Sequence, residues 1–180
     1  WRTEAYIGNS IDDSALSAGG SFTTGGELSL TALAKGFIGA FGVAGASASN
    51  EQVSADETSV AIAAGVATNV IDDKVRSYIY HATVEAGNDI SLTAKATPTL
   101  EAFSIGGSVA RGNTNSVALA GAASVNQANA DVQTFIKDSN NTAPMDIRSV
   151  TSTGGGISLE ATNSTQTFAQ SGAVAVAWQN

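Results

Sequence analysis

Apolar and small or polar residues alternate along most of the chain. In "DISLTAKA", Ile90, Leu92 and Ala94 fall on one face, and Ser91, Thr93 and Lys95 on the other. That period of two is the mark of a half-buried strand. "GELSLTALA" repeats it through Leu28 and Leu30. In the long phrase Ser59–Ile79, Val60, Ile62, Val66 and Thr68 share one parity, while Ala61, Ala63, Gly65 and Ala67 share the other. A second version follows 57 residues later, at Ser116–Ile136. There Val117, Leu119, Ala123 and Val125 oppose Ala118, Ala120, Ala122 and Ser124. Alanine favours helix, and "ETSVAIAAG" has a helix-like acidic start. Internal glycine, β-branched residues and the strict parity argue instead for strands. Turn chemistry separates the runs, in "AGN", "RGNTN", "KDSNN" and "AGG".

Three phrases recur in fixed order. An aromatic-Ile pair appears in "AYI" (Ala5), "SYI" (Ser77) and "TFI" (Thr134). A Gly followed by an apolar-Ser-Leu triplet ends at Leu30, Leu92 and Leu159. A Phe leads into a Gly/Ala/Val run at Phe41, Phe103 and Phe168. Ile7 to Leu30 and Ile136 to Leu159 each span 23 residues, against 13 from Ile79 to Leu92, so repeats one and three carry ten-residue insertions. Such insertions map to loops in repeat architectures. Strands of this kind bury a face only when coil stacks on coil. The expectation is one all-β domain over 1–180, a parallel β-helix (β-solenoid) of three irregular repeats near 1–72, 73–129 and 130–180. The 57-residue offset would hold three coils of roughly 19 residues, or two longer ones. Ile7, Ile79 and Ile136, with Leu92 and Leu159, form the expected inward stripe. Tyr6, Tyr78 and Phe135 have the opposite parity and are expected to stack outside the core or under an insertion loop. The alanine face is expected to pack closely on a second sheet or a neighbouring molecule.

Composition narrows the classes. Charged residues are 13% of the chain, aromatics 6%, apolar residues 43%, and there is no Cys. Apolar content that high argues against disorder. Scattered glycine excludes collagen. The net charge of −8, with eight scattered Lys and Arg, argues against a nucleic-acid partner, which needs a basic stripe. No apolar run is long enough for a membrane-spanning helix.

The order of phrases resembles the repeats of large bacterial surface β-solenoids: filamentous-haemagglutinin-like adhesins and leukotoxin-type exoproteins. The matching pieces are Ala5–Ile7, Glu85–Ala94, Phe103–Ala110 and Ser116–Asn126. The resemblance implies an extracellular, elongated cell-surface protein of a Gram-negative-type bacterium, and it carries over no catalytic residues. The ten-residue insertions and the missing secretion domains depart from a full-length member and leave the secretion route open.

The chain ends suggest assembly. From Ala173 across joined ends to Ile7 is 15 residues, as from Gly65 to Ile79, which would match Val174 with Val66. Copies stacking head to tail, and laterally, are the expected partners, with a surface or matrix polysaccharide as a further one. A heterologous contact that does not close makes a filament. Trp1 and Trp178, the only tryptophans, lie at that junction, as interface anchors or as ordinary core filling. With Tyr6, Tyr78 and Phe135 they are the interface candidates. No catalytic, cofactor or metal residues are expected. The paired acids Asp12–Asp13 and Asp72–Asp73 read as solvated turns, with Ca²⁺ as the competing reading. Asp72, Asp73, Lys74 and Arg76 are the densest charge cluster and read as a salt-bridged turn. In the alternative, a polysaccharide-active β-helix enzyme, they would be the site; a carbohydrate-binding module is a third reading. His81, the lone His, reads as an exposed strand residue. Asn140–Thr142 and Asn163–Thr165 are sequons, marking surface only in a glycosylating host.

Overall fold

The computed structural model describes residues 1–12, 20–50, 58–137 and 148–179. Among them all regular structure is strand: β1 (Arg2–Gly8), β2 (Ser21–Thr24), β3 (Leu28–Ser49), β4 (Thr58–Tyr80), β5 (Thr83–Ala86), β6 (Ile90–Gly112), β7 (Asn115–Lys137), β8 (Val150–Ser152), β9 (Ile157–Asn163) and β10 (Gln166–Gln179). They form three parallel sheets, ordered β1-β4-β7, β2-β5-β8 and β10-β6-β3, with β9 also on β6. This is a parallel β-solenoid of three rungs, as the repeat predicts.

The coil is longer than the sequence suggested. Tyr6 lies opposite Tyr78, Phe22 opposite Val84, and Val84 opposite Val150. One turn therefore takes roughly 60 to 70 residues, beyond the 20–45 of familiar solenoid repeats. Each sequence repeat is a single coil, not two or three. The difference comes from strand length: β4, β6 and β7 each run 23 residues, where five or six is usual. The expected repeat boundaries at 72 and 129 fall inside β4 and β7. The insertions fall between β1 and β2 and between β7 and β8, where 13–19 and 138–147 lie outside the described residues.

The residues divide into two compact units. Unit 1 comprises Trp1–Gly36, Ile71–Pro98 and Asn129–Thr165. Here the short sheet β2-β5-β8 lies between the two longer ones in chain order, and an aliphatic core fills the interior. Leu28, Ile79, Val84, Ile90 and Leu92 are buried together, with Ile7 and Val150 against them. A second cluster, Ala32, Val75, Ala94 and Ala96, follows along the same strands. Ile79 and Leu92 hold the inward positions expected of them. Ile136 and Leu159 occupy the matching positions of the third coil, but remain 37% and 43% exposed because no strand covers that coil.

Unit 2 comprises Phe37–Val70, Thr99–Ala128 and Gln166–Asn180. It has no third sheet, so two sheets meet directly. Their inner residues are small: Ala61, Ala63, Ala67, Ala102, Ser104 and Ala110 are buried. The backbones touch. A Cβ built on Gly65 would sit 2.6 Å from the Ile105 carbonyl oxygen, and one on Gly106 would collide with the Gly121 carbonyl. The sheets are therefore closer than the ~10 Å of an ordinary sandwich. So the alanine face packs on a second sheet, within the chain.

At this spacing, inner polar groups reach across. Asn69, 3% exposed, donates from Nδ2 to Asn126 Oδ1 at 3.0 Å and to the Glu101 carbonyl at 2.7 Å. Asn126 Nδ2 donates to the carbonyls of Leu100 (3.1 Å) and Phe168 (2.6 Å). The Ser104 and Ser124 hydroxyls lie 2.9 Å apart, and Ser124 donates to the Gln170 carbonyl at 2.7 Å. Buried amides demand such partners.

Two substitutions test this interior. Gly65→Val drives a branched side chain into a backbone carbonyl and should cost at least about 1–3 kcal/mol, or about 2–4 °C of Tm per kcal/mol in a chain this size. Gly121→Ala, with nothing within 4 Å of its added Cβ, should leave Tm nearly unchanged; equal effects would refute the close approach. Asn69→Ala strands Asn126 Oδ1 and should lower the urea midpoint, equivalent to about 1–3 kcal/mol. An unshifted midpoint would mean the amide pair contributes nothing.

Candidate functional site

The interface candidates of unit 1 form a ladder. Because β1, β4 and β7 pair in register, Tyr6, Tyr78 and Phe135 stack along the coil direction. Ring centroids lie 5.1 Å and 4.9 Å apart, with planes within 6°. Tyr78, in the middle, is wholly buried; Tyr6 is 45% exposed and Phe135 half-buried. The ladder lies off the inward stripe, and the Ser10–Ile11 segment covers Tyr78: the Ile11 N–H donates to its hydroxyl at 3.2 Å.

That hydroxyl in turn donates to Glu4 Oε2 at 3.1 Å. Glu4 anchors a charge network. Arg2 pairs with Glu4 and with Asp12, each at 2.6 Å. Arg76 lies 3.8 Å from both of those acids and 3.1 Å from Asp131. The hydrogen bond to Glu4 holds the Arg2 guanidinium more firmly protonated. Burial pushes the Tyr78 hydroxyl above the ordinary tyrosine value, because the phenolate would lose its hydration.

The charge cluster expected at a turn lies instead within β4. Asp72 and Lys74 point outward and are exposed, whereas Asp73 points inward and is 5% exposed. Strand alternation separates the two carboxylates, so they do not converge on a cation. Asp12 is engaged by arginine, and Asp13 lies outside the described residues. Among the described residues no three His, Asp or Glu side chains group as a metal site. His81 is not an exposed strand residue: it sits between β4 and β5, 7% exposed, with the left-handed φ of 55°. Such φ is uncommon outside glycine. Its N–H donates to the Lys137 carbonyl, and its own carbonyl accepts from Arg148 Nη1 at 2.8 Å. Tertiary contacts on both sides fix this corner. Of the sequons, Asn163 is exposed at the end of β9, and Asn140 lies outside the described residues.

The tryptophans fall in different units. Trp1 is 86% exposed, and its carbonyl accepts from the Lys74 N–H at 2.9 Å. Trp178 lies on β10 opposite Arg111, 42% exposed. Val174 pairs with Gly107 on β6, not in the position of Val66 on β4. The resemblance of "GAVAVA" to "GVATNV" comes from shared small residues, and the hydrogen-bonded register overrides it.

One surface was missed in the sequence. On unit 2, the outward parity is apolar on both sheets. Ile62, Val66 and Leu119 are 60–65% exposed on one, and Phe41, Val43 and Val174 are 65–69% exposed on the other. Phe41 and Phe103 stack at 5.3 Å. The signal was present: Ile79 and Ala61 share parity, so an inward Ile79 requires Val60 and Ile62 to face out.

No family model matches the chain, no curated protein matches its sequence, and no solved structure matches its fold.

The tyrosine ladder generates a pH prediction. With its folded pKa raised, Tyr78 contributes stability that is whole below about pH 10, the unfolded value, and lost as pH rises through the folded value. Between pH 9 and 11.5 the Tm of the native chain should therefore fall more steeply than that of Tyr78→Phe. Parallel declines would show that the hydroxyl is not buried as described.

Proposed function

We propose that the chain is a structural, adhesive segment of an extracellular fibre or large bacterial surface protein, in which copies stack end to end along the coil direction. The observation that carries the reading is the side-chain ladder. Tyr6, Tyr78 and Phe135 repeat at about one strand spacing, and the exposed outer ring of Tyr6 offers the same contact to another coil. The outer strands β1 and β7 leave one row of N–H and C=O groups unpaired each, which is a template for a further strand. Stacked rings add to main-chain hydrogen bonds at such an edge. The resemblance to adhesin repeats points the same way, toward a cell surface and a polysaccharide or receptor there.

In this reading Phe135 of one copy meets Tyr6 of the next. Tyr6→Lys combined with Phe135→Lys sets like charges face to face at that junction. Negative-stain microscopy of the native chain should show end-to-end particles that lengthen with concentration, and the double variant should give short ones. Single globules at every concentration of the native chain would refute the proposal, as would release of reducing ends from a polysaccharide by the purified chain.

A further inference from the structure

We propose that the outer face of β3, β6 and β10 in unit 2 is a homodimer surface, on which a second copy packs face to face with its strands antiparallel. The proposal does not depend on end-to-end stacking, which uses strand edges rather than this face.

Charge placement carries the argument. Among the described residues of unit 2, Glu101 and Arg111 are the only charged side chains. Both are exposed, both point outward, and both lie on β6, the central strand. They bracket the apolar stretch Phe103, Ile105 and Val109. A two-fold axis through the middle of that stretch, perpendicular to the strands and in the plane of contact, brings Glu101 of each copy onto Arg111 of the other. The alternative two-fold, along the strands, sets Glu101 on Glu101 and Arg111 on Arg111, which like-charge repulsion disfavours. An isologous contact needs such self-complementarity.

Shape agrees with charge. About the same axis Ile105 meets Gly107, and Phe103 meets Val109. The hydrogen-bonded register extends this to β10, where Gly172 pairs with Ile105 and Val174 with Gly107, so Val174 meets Gly172. On β3, Val43 meets Gly45 in the same way. Every strand sets a branched side chain against a glycine, so large residues on one copy fill the gaps on the other.

The area suffices. Three strands of 14-residue length cover on the order of 600 Å² per copy at ordinary strand spacing and rise, or about 1,200 Å² for the pair, the lower bound of a standard interface. A bilayer is the competing occupant of an apolar surface. Immersing unit 2 would take the unpaired edges of β3 and β10 into hydrocarbon, at several kcal/mol for each group. Face-to-face packing leaves those edges in water.

The test is sedimentation equilibrium of the 180-residue chain with variants that leave the fold's interior untouched. The native chain should dimerise. Glu101→Arg should weaken the dimer at least about tenfold, and Glu101→Arg with Arg111→Glu should restore it. Ile105→Asp should abolish it, while circular dichroism stays unchanged. Tyr6→Lys with Phe135→Lys should leave this dimer intact, so failure here and failure of end-to-end stacking are separable. A monomeric native chain, or a double charge swap that does not rescue, overturns the proposal. So does a monomeric chain that floats with phosphatidylcholine vesicles and loses flotation on Ile105→Asp, since that outcome assigns the face to lipid.

Discussion

The distance between facing sheets governs this molecule. In unit 1 the intervening short sheet leaves room for Ile79, Leu92 and Ile90, and the interior is an ordinary aliphatic core. In unit 2 the backbones approach until a single Cβ at Gly65 or Gly106 has no place. Only Gly, Ala, Ser and a bonded Asn fit between. The hydrophobic residues of the same strands are then forced outward by alternation, since neighbours along a strand face opposite sides. Interior chemistry and surface chemistry are thus one decision. A thin interior gives little apolar burial per residue, and its cohesion rests on dense backbone contact and cross-sheet hydrogen bonds.

Much of the fold was legible from the residues alone. Period-two alternation marked β3, β4, β6 and β7 as strands, and the recurrence of "YI", "SL" and Phe phrases gave three stacked repeats. The inward parity of Ile79 and Leu92 followed from the same pattern. Coil length did not, because nothing in a 23-residue alternating run says whether a corner interrupts it. The corner that does exist, at His81, carries no Gly or Pro; its left-handed backbone is held by Lys137 and Arg148, partners more than fifty residues away.

The site was less legible. Side-chain ladders depend on register between coils, and small-residue phrases align at more than one offset. "GAVAVA" matched the β4 phrase as well as the β6 phrase, and only hydrogen bonding distinguishes them. The charges of β4 looked like one cluster in sequence, yet alternation splits Asp72 from Asp73. Meanwhile Glu4, Asp12 and Asp131, far apart in the chain, gather about Arg76. Exposed aliphatics on unit 2 escaped notice because apolar residues are read as interior by default. That default fails where the opposite parity is too small to keep sheets apart.

Uniform small residues raise a further problem, which the polar groups answer. Sheets lined by Ala and Gly specify register weakly, since a slip by two residues exchanges one small side chain for another. Asn69 and Asn126 break that degeneracy. Their amides meet each other only when β4 and β7 are aligned as observed, and they meet the carbonyls of Leu100, Glu101 and Phe168 only when the facing sheet is aligned too. A slip in either direction would bury two amides without partners, at about 1–3 kcal/mol for each unmet group. In unit 1 the stacked rings of Tyr6, Tyr78 and Phe135 do the same for β1, β4 and β7. The two units thus fix the same long strands at separate points by different means, hydrogen bonds in one and ring stacking in the other. Between those points the small side chains are free to set the sheet spacing.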